Sequence, residues 1–70
     1  MFVWFEKGGK FLRCETRDLA DGRYQLVVTD VDGTEQVETF DDSTALNKRQ
    51  IDVERELSQR GFTGPHGWNL

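Results

Sequence analysis

Leu26-Val27-Val28-Thr29-Asp30-Val31-Asp32-Gly33-Thr34-Glu35-Gln36-Val37-Glu38-Thr39-Phe40 is the stretch on which the fold turns. An apolar, β-branched run enters Asp-Gly, and a second alternating run leaves it. Asp-Gly between two β-rich runs is a strong hairpin signal, because a two-residue hairpin turn needs positive φ at both central positions. With Asp32-Gly33 as that turn, Val28 is predicted to pair with Val37 and Leu26 with Thr39. Val27 and Phe40 then point to the opposite face. Asp30 opposes Glu35 in this register, an unfavourable like-charge pair that a longer loop would relieve.

Outward from this hairpin, the chain repeats the same kind of element. Strands are predicted at Phe2–Glu6, Lys10–Arg17, Arg23–Asp30 and Thr34–Phe40, joined by Gly8-Gly9, Asp18–Gly22 and the Asp-Gly turn. Connections this short favour an antiparallel meander, since parallel pairing needs long crossovers. A helix follows, capped by Asp41, Asp42 or Ser43 and running to about Arg60, with Gly61 as its C′ residue. Leu46, Gln50, Val53 and Leu57 fall on one stripe of it, and Ile51 falls on the otherwise polar face. The expected fold is α+β: a four-stranded antiparallel meander followed by one C-terminal helix on one sheet face. Residues 1–62 make a single ββββα domain and residues 63–70 an irregular tail.

Register sorts side chains to faces. The Gly8-Gly9 turn sets Phe5 opposite Leu12 and Val3 opposite Cys14 on one side, and Trp4 opposite Arg13 and Phe2 opposite Glu15 on the other. The expected core is Val3, Phe5, Leu12, Cys14, Tyr24, Leu26, Val28, Val37, Leu46, Val53 and Leu57. One helix covers one face of a sheet. The second face keeps Phe2, Trp4 and Phe11, with Val27 near them and Arg13 and Arg17 between. Three aromatics on a face with no cover need an explanation. The tail folding back with Phe62 and Trp68, a second copy of the chain, or another protein would each supply one. Arg13 beside Trp4 suits a cation–π contact.

Asp30-x-Asp32-Gly33-Thr34 after an apolar strand resembles the first motif of the haloacid-dehalogenase-like phosphatases. That resemblance implies Asp30 as nucleophile, Asp32 as general acid and Mg²⁺ as cofactor. The family builds its site on a parallel sheet, and each parallel crossover takes a dozen or more residues. Only 36 residues follow Thr34, with one helix among them and no strand–helix–strand unit. The motif is therefore read as a decoy and its Asp-Gly as a turn. A partial calcium loop at the same place lacks its third acidic ligand and its bidentate Glu.

No other catalytic motif, cofactor site or metal site is assigned. Cys14 is the only cysteine, so no internal disulfide forms, and Cys14 with His66 is too small a set for structural zinc. At 70 residues the chain is near the lower limit for folding without a staple. The net charge of −4 is uneven: residues 25–44 carry six acidic and no basic groups. An acidic chain repels phosphate backbones, which disfavours nucleic acid. A single-stranded platform pairing the aromatics with Lys7, Lys10, Arg13, Arg17 and Arg23 is correspondingly weak. The acidic stretch (Asp30, Asp32, Glu35, Glu38, Asp41 and Asp42) offers an alternative surface for a basic, nucleic-acid-binding partner. No signal peptide and no membrane-length apolar run is present, so a cytoplasmic protein without membrane contact is expected.

Phe11-Leu12-Arg13-Cys14-Glu15, Asp32-Gly33-Thr34-Glu35 and the ending Gly61-Phe62-Thr63-Gly64-Pro65-His66-Gly67-Trp68 together resemble a set of very short, uncharacterised bacterial proteins. This resemblance implies a free-standing bacterial cytosolic protein and carries no activity with it. The residues themselves favour a small acidic, non-enzymatic protein–protein interaction module. Its expected contact residues are Phe2, Trp4, Phe11, Arg13 and Arg17, and its partner is another protein or a second copy in a homodimer.

Overall fold

The computed structural model describes residues 2–67. Five strands and one helix follow in the order β1 (Phe2–Lys7), β2 (Lys10–Asp18), β3 (Tyr24–Thr29), β4 (Glu35–Phe40), α1 (Ser43–Gln59) and β5 (Thr63–Gly67). The architecture is α+β, with an antiparallel sheet ordered β4-β3-β2-β1-β5. The first four strands are the expected meander. The fifth strand corrects the expectation of an irregular tail from residue 63; residues 68–70, Trp68 among them, lie outside the described residues.

Pairing across Gly8-Gly9 is as the turn requires: Val3 faces Cys14, Phe5 faces Leu12 and Trp4 faces Arg13. The two remaining hairpins share one design. Leu19 N–H donates to Arg23 O at 2.8 Å and Gly22 N–H to Leu19 O at 3.1 Å. Asp30 N–H donates to Thr34 O at 2.8 Å and Gly33 N–H to Asp30 O at 2.9 Å. Each loop thus holds three residues ending in a glycine of positive φ, 84° at Gly22 and 89° at Gly33. That is the three-residue hairpin with a bulge at its last position.

The extra loop residue corrects the register of the last hairpin. Val27 pairs with Val37, Leu26 with Glu38 and Tyr24 with Phe40. Compared with a two-residue turn, every side chain of β4 changes face. Val37 leaves the expected core and is 53% exposed, while Phe40 packs against the core instead. The slip also removes the Asp30–Glu35 opposition and sets Glu35 against Thr29.

The core lies between α1 and one face of the sheet. Phe5, Leu12, Cys14, Leu26, Leu46, Val53 and Leu57 are buried there, with Val3, Tyr24, Val28, Phe40 and Phe62 packed around them. Asp42 caps the helix, its Oδ1 accepting from Ala45 N–H at 2.7 Å. At the other end Phe62 N–H donates to Leu57 O and Gly61 N–H to Ser58 O, the paired bonds that close a helix in a reversal. The reversal delivers Phe62 to the helix side of the sheet and sends the chain antiparallel along β1. A strand fits there because two positions lack side chains. A Cβ at Gly64 would stand 2.9 Å from Phe5 Cδ2, and one at Gly67 would stand 2.7 Å from Phe2 O. The Gly64-Pro65 peptide is cis.

Candidate functional site

The face opposite the helix carries the aromatic residues singled out in the sequence. Strand alternation places Phe2, Trp4, Phe11, Arg13, Glu15, Arg17, Val27 and Val37 on it. Phe2, Trp4, Phe11 and Arg13 together line an open, apolar depression. Phe2 is 40% exposed and Phe11 53%. The Trp4 ring is flanked by Phe2, centroids 6.3 Å apart, and by His66, 6.0 Å away. The structure therefore brings four of the five expected contact residues into one patch.

Arg17 stands beside this patch rather than in it. It lines a second depression with Phe2, Arg13, Glu15, Val27, Thr29 and Glu35. Its guanidinium pairs with Glu15 at 3.0 Å, and that pairing holds the Glu15 carboxyl below its ordinary range. Val27, at the middle of the face, is only 4% exposed although no secondary-structure element among the described residues covers it. It lies in the depression walled by Phe2, Arg13, Glu15 and Arg17, side chains long enough to screen it with their stems.

β5 does not lie over the aromatic face. It extends the sheet at its edge, and His66 is the residue it adds, set opposite Trp4. His66 Nε2 lies 3.3 Å from Thr63 Oγ1, which donates to Glu6 O at 3.2 Å. The sequence places His66 in a loop-like tail, and only the pairing of β5 sets it beside Trp4 as part of the patch. Phe62, offered as cover for the aromatics, is on the opposite side against the core. Among the described residues the cation–ring contacts are at Phe62, from Lys7 at 5.8 Å and Arg60 at 5.5 Å, not between Arg13 and Trp4.

The acidic residues do not gather into one surface. Asp30 and Asp32 serve their own turn: Oδ1 of Asp30 accepts from Val31 N–H and Oδ1 of Asp32 from Thr34 N–H. Asp42 is the helix cap. Glu38 faces the helix and pairs with Arg49 at 2.9 Å, whereas Glu35 is on the aromatic side. Asp41 lies in the short link between β4 and α1.

The Asp30-x-Asp32-Gly33-Thr34 run has a structural twin in Leu19-Ala20-Asp21-Gly22-Arg23. In both, the aspartate before the glycine accepts from the amide two residues on, at 3.1 Å for Asp21 and 2.9 Å for Asp32. In both, that amide holds the carboxyl below its ordinary range. A lowered carboxyl is the reverse of what a general acid working near neutral pH needs. The motif stands at the tip of an antiparallel hairpin, not at the end of a parallel strand.

Cys14 is buried on the core face, and burial, with a further push from the Glu54 charge, raises its thiol to about 11. A thiol held protonated packs as a small apolar group. Among the described residues no group of three or more His, Cys, Asp or Glu side chains is placed to hold a metal ion. Among them, too, no helix is long and apolar enough to cross a membrane. Comparisons with protein-family models, with curated proteins and with solved structures find no match.

Proposed function

We propose that the protein is a small, acidic, non-enzymatic interaction module that binds another protein through the aromatic face of its sheet. The observation that carries this reading is the patch of Phe2, Trp4, Phe11 and Arg13 on the side away from α1, which no element among the described residues covers. Aromatics and arginine are the side chains that most often anchor protein–protein contacts. His66 extends the patch past Trp4, and Arg17, tied to Glu15, borders it with a charged rim. The acidic alternative loses support because its residues are spent on a turn, a cap and an ion pair, and are divided between two faces. A cytoplasmic location agrees with this reading.

The test is capture of proteins from a bacterial extract on immobilised wild type beside Trp4→Ser/Phe11→Ser. The double variant is expected to keep its circular dichroism spectrum and to lose capture of the partner. Unchanged capture by a folded variant overturns the assignment.

A further inference from the structure

The two edges of the sheet are not alike. β5 is a poor template for another strand: it holds Pro65, which has no N–H, and its register against β1 shifts between Trp4 and Glu6. β4 is six residues long, pairs with β3 without a shift, and contains neither proline nor glycine. Five of its six residues, 35–39, are exposed.

The hydrogen-bond alternation says which of its backbone groups are open. Asp30 N–H bonds Thr34 O, so 30/34 is a bonded pair. In an antiparallel ladder bonded and non-bonded pairs alternate. Val28/Gln36, Leu26/Glu38 and Tyr24/Phe40 are therefore the bonded pairs within the hairpin. The N–H and C=O groups of Glu35, Val37 and Thr39 point outward from the sheet. The neighbouring hairpin agrees: Leu19 N–H bonds Arg23 O, which assigns Gln25, Val27 and Thr29 to β2 and leaves Tyr24, Leu26 and Val28 for β4.

We propose that β4 pairs antiparallel with β4 of a second copy of this chain, about a two-fold axis at Val37, to form one continuous ten-stranded sheet. The sequence of β4 is complementary to itself in that register. Val37 meets Val37 of the second copy, Glu35 meets Thr39, and Gln36 meets Glu38. No carboxylate directly opposes another. Centring instead on Glu35 or on Glu38 would oppose like charges, which is destabilising. The three outward residues of each copy exchange about six backbone hydrogen bonds across the axis, two for each bonded pair. Val37, 53% exposed in the single chain, becomes a cross-strand apolar pair. An axis perpendicular to the sheet keeps both helices on one side and joins the two aromatic faces on the other. The inference rests on β4 and not on the aromatic patch, so each can fail alone.

Proline at position 37 removes only the outward N–H and is tolerated on a strand edge facing solvent. Solution mass is measured by sedimentation equilibrium from micromolar to millimolar chain, for wild type, Val37→Pro and Trp4→Ser/Phe11→Ser. Wild type is expected at twice the 8.1 kDa chain mass, with Val37→Pro at 8.1 kDa and the aromatic variant still paired. Amide hydrogen exchange of wild type gives a readout that needs no variant: protection at Glu35, Val37 and Thr39 should rise with chain concentration. A wild-type monomer throughout the range overturns the proposal. So does a dimer that survives Val37→Pro, or one whose outward β4 amides exchange at the same rate at every concentration.

Discussion

The two faces of this sheet come from the same five strands and meet different fates. On the helix side Phe5 and Leu26 are 2% and 1% exposed. On the other side Phe11 and Val37 each keep half their surface, and among the described residues of that face only Val27 is shut away, in the depression it lines with Phe2, Arg13, Glu15 and Arg17. Alternation gives both faces apolar residues, but the described residues form only one helix to lay across them. The difference separates what stabilises the fold from what is left for a partner.

The largest expected effect tests that separation. Phe5→Ala should cost about 3–5 kcal/mol, the usual loss for a fully buried phenylalanine. Phe11→Ala should stay within roughly 0.5 kcal/mol, as exposed substitutions do. Urea unfolding of the dilute monomer measures both. Equal costs would mean that the aromatic face is covered in the isolated chain, and the contrast between the two sides would collapse.

A second contrast, between the two Asp-Gly hairpins, comes next in size. Gly22 and Gly33 both hold positive φ, and a Cβ at either would meet no other atom within 4 Å. Alanine at either place therefore carries only the backbone penalty, about 1 kcal/mol. Matching losses from Gly22→Ala and Gly33→Ala are expected in the same urea experiment. They would treat the phosphatase-like motif as what its geometry makes it, the second of two identical turns. A loss at Gly33 several times that at Gly22 would show that the run does something its twin does not.

Much of this was legible in the residues, and the misses have specific causes. The alternation of Phe2–Lys7 and Lys10–Asp18, pinned by Gly8-Gly9, sorted β1 and β2 correctly and so located Phe2, Trp4, Phe11 and Arg13 on one face. The helix was equally plain: Leu46, Val53 and Leu57 mark its buried stripe, and of the three residues able to cap it, Asp41, Asp42 and Ser43, the structure uses Asp42. The faces of β4 are not legible from the residues, because Asp-Gly serves both two-residue and three-residue loops, and one added residue inverts a strand. The Asp30–Glu35 opposition was the warning in that register. β5 was invisible because Thr-Gly-Pro-His-Gly has the composition of a loop. Its strand exists through tertiary fit, where the small residues at 64 and 67 let it approach β1. His66, the one patch residue missed, was lost with it.

The smallest expected effect also bears on the inverted strand. In the expected register Glu38 would lie on the aromatic side, out of reach of the helix. In the observed one it reaches Arg49 at 2.9 Å, and the pairing raises the Arg49 guanidinium above its ordinary value. Both side chains are more than a third exposed, so solvent screening holds their coupling to between about 0.2 and 1 kcal/mol. A double-mutant cycle of Glu38→Gln and Arg49→Gln should return a coupling in that range at low salt, shrinking in concentrated salt as exposed charges are screened. Coupling indistinguishable from zero at low salt would withdraw this ion pair as evidence in solution for which way β4 faces, and would leave the orientation to Phe40 in the core and to exposed Val37.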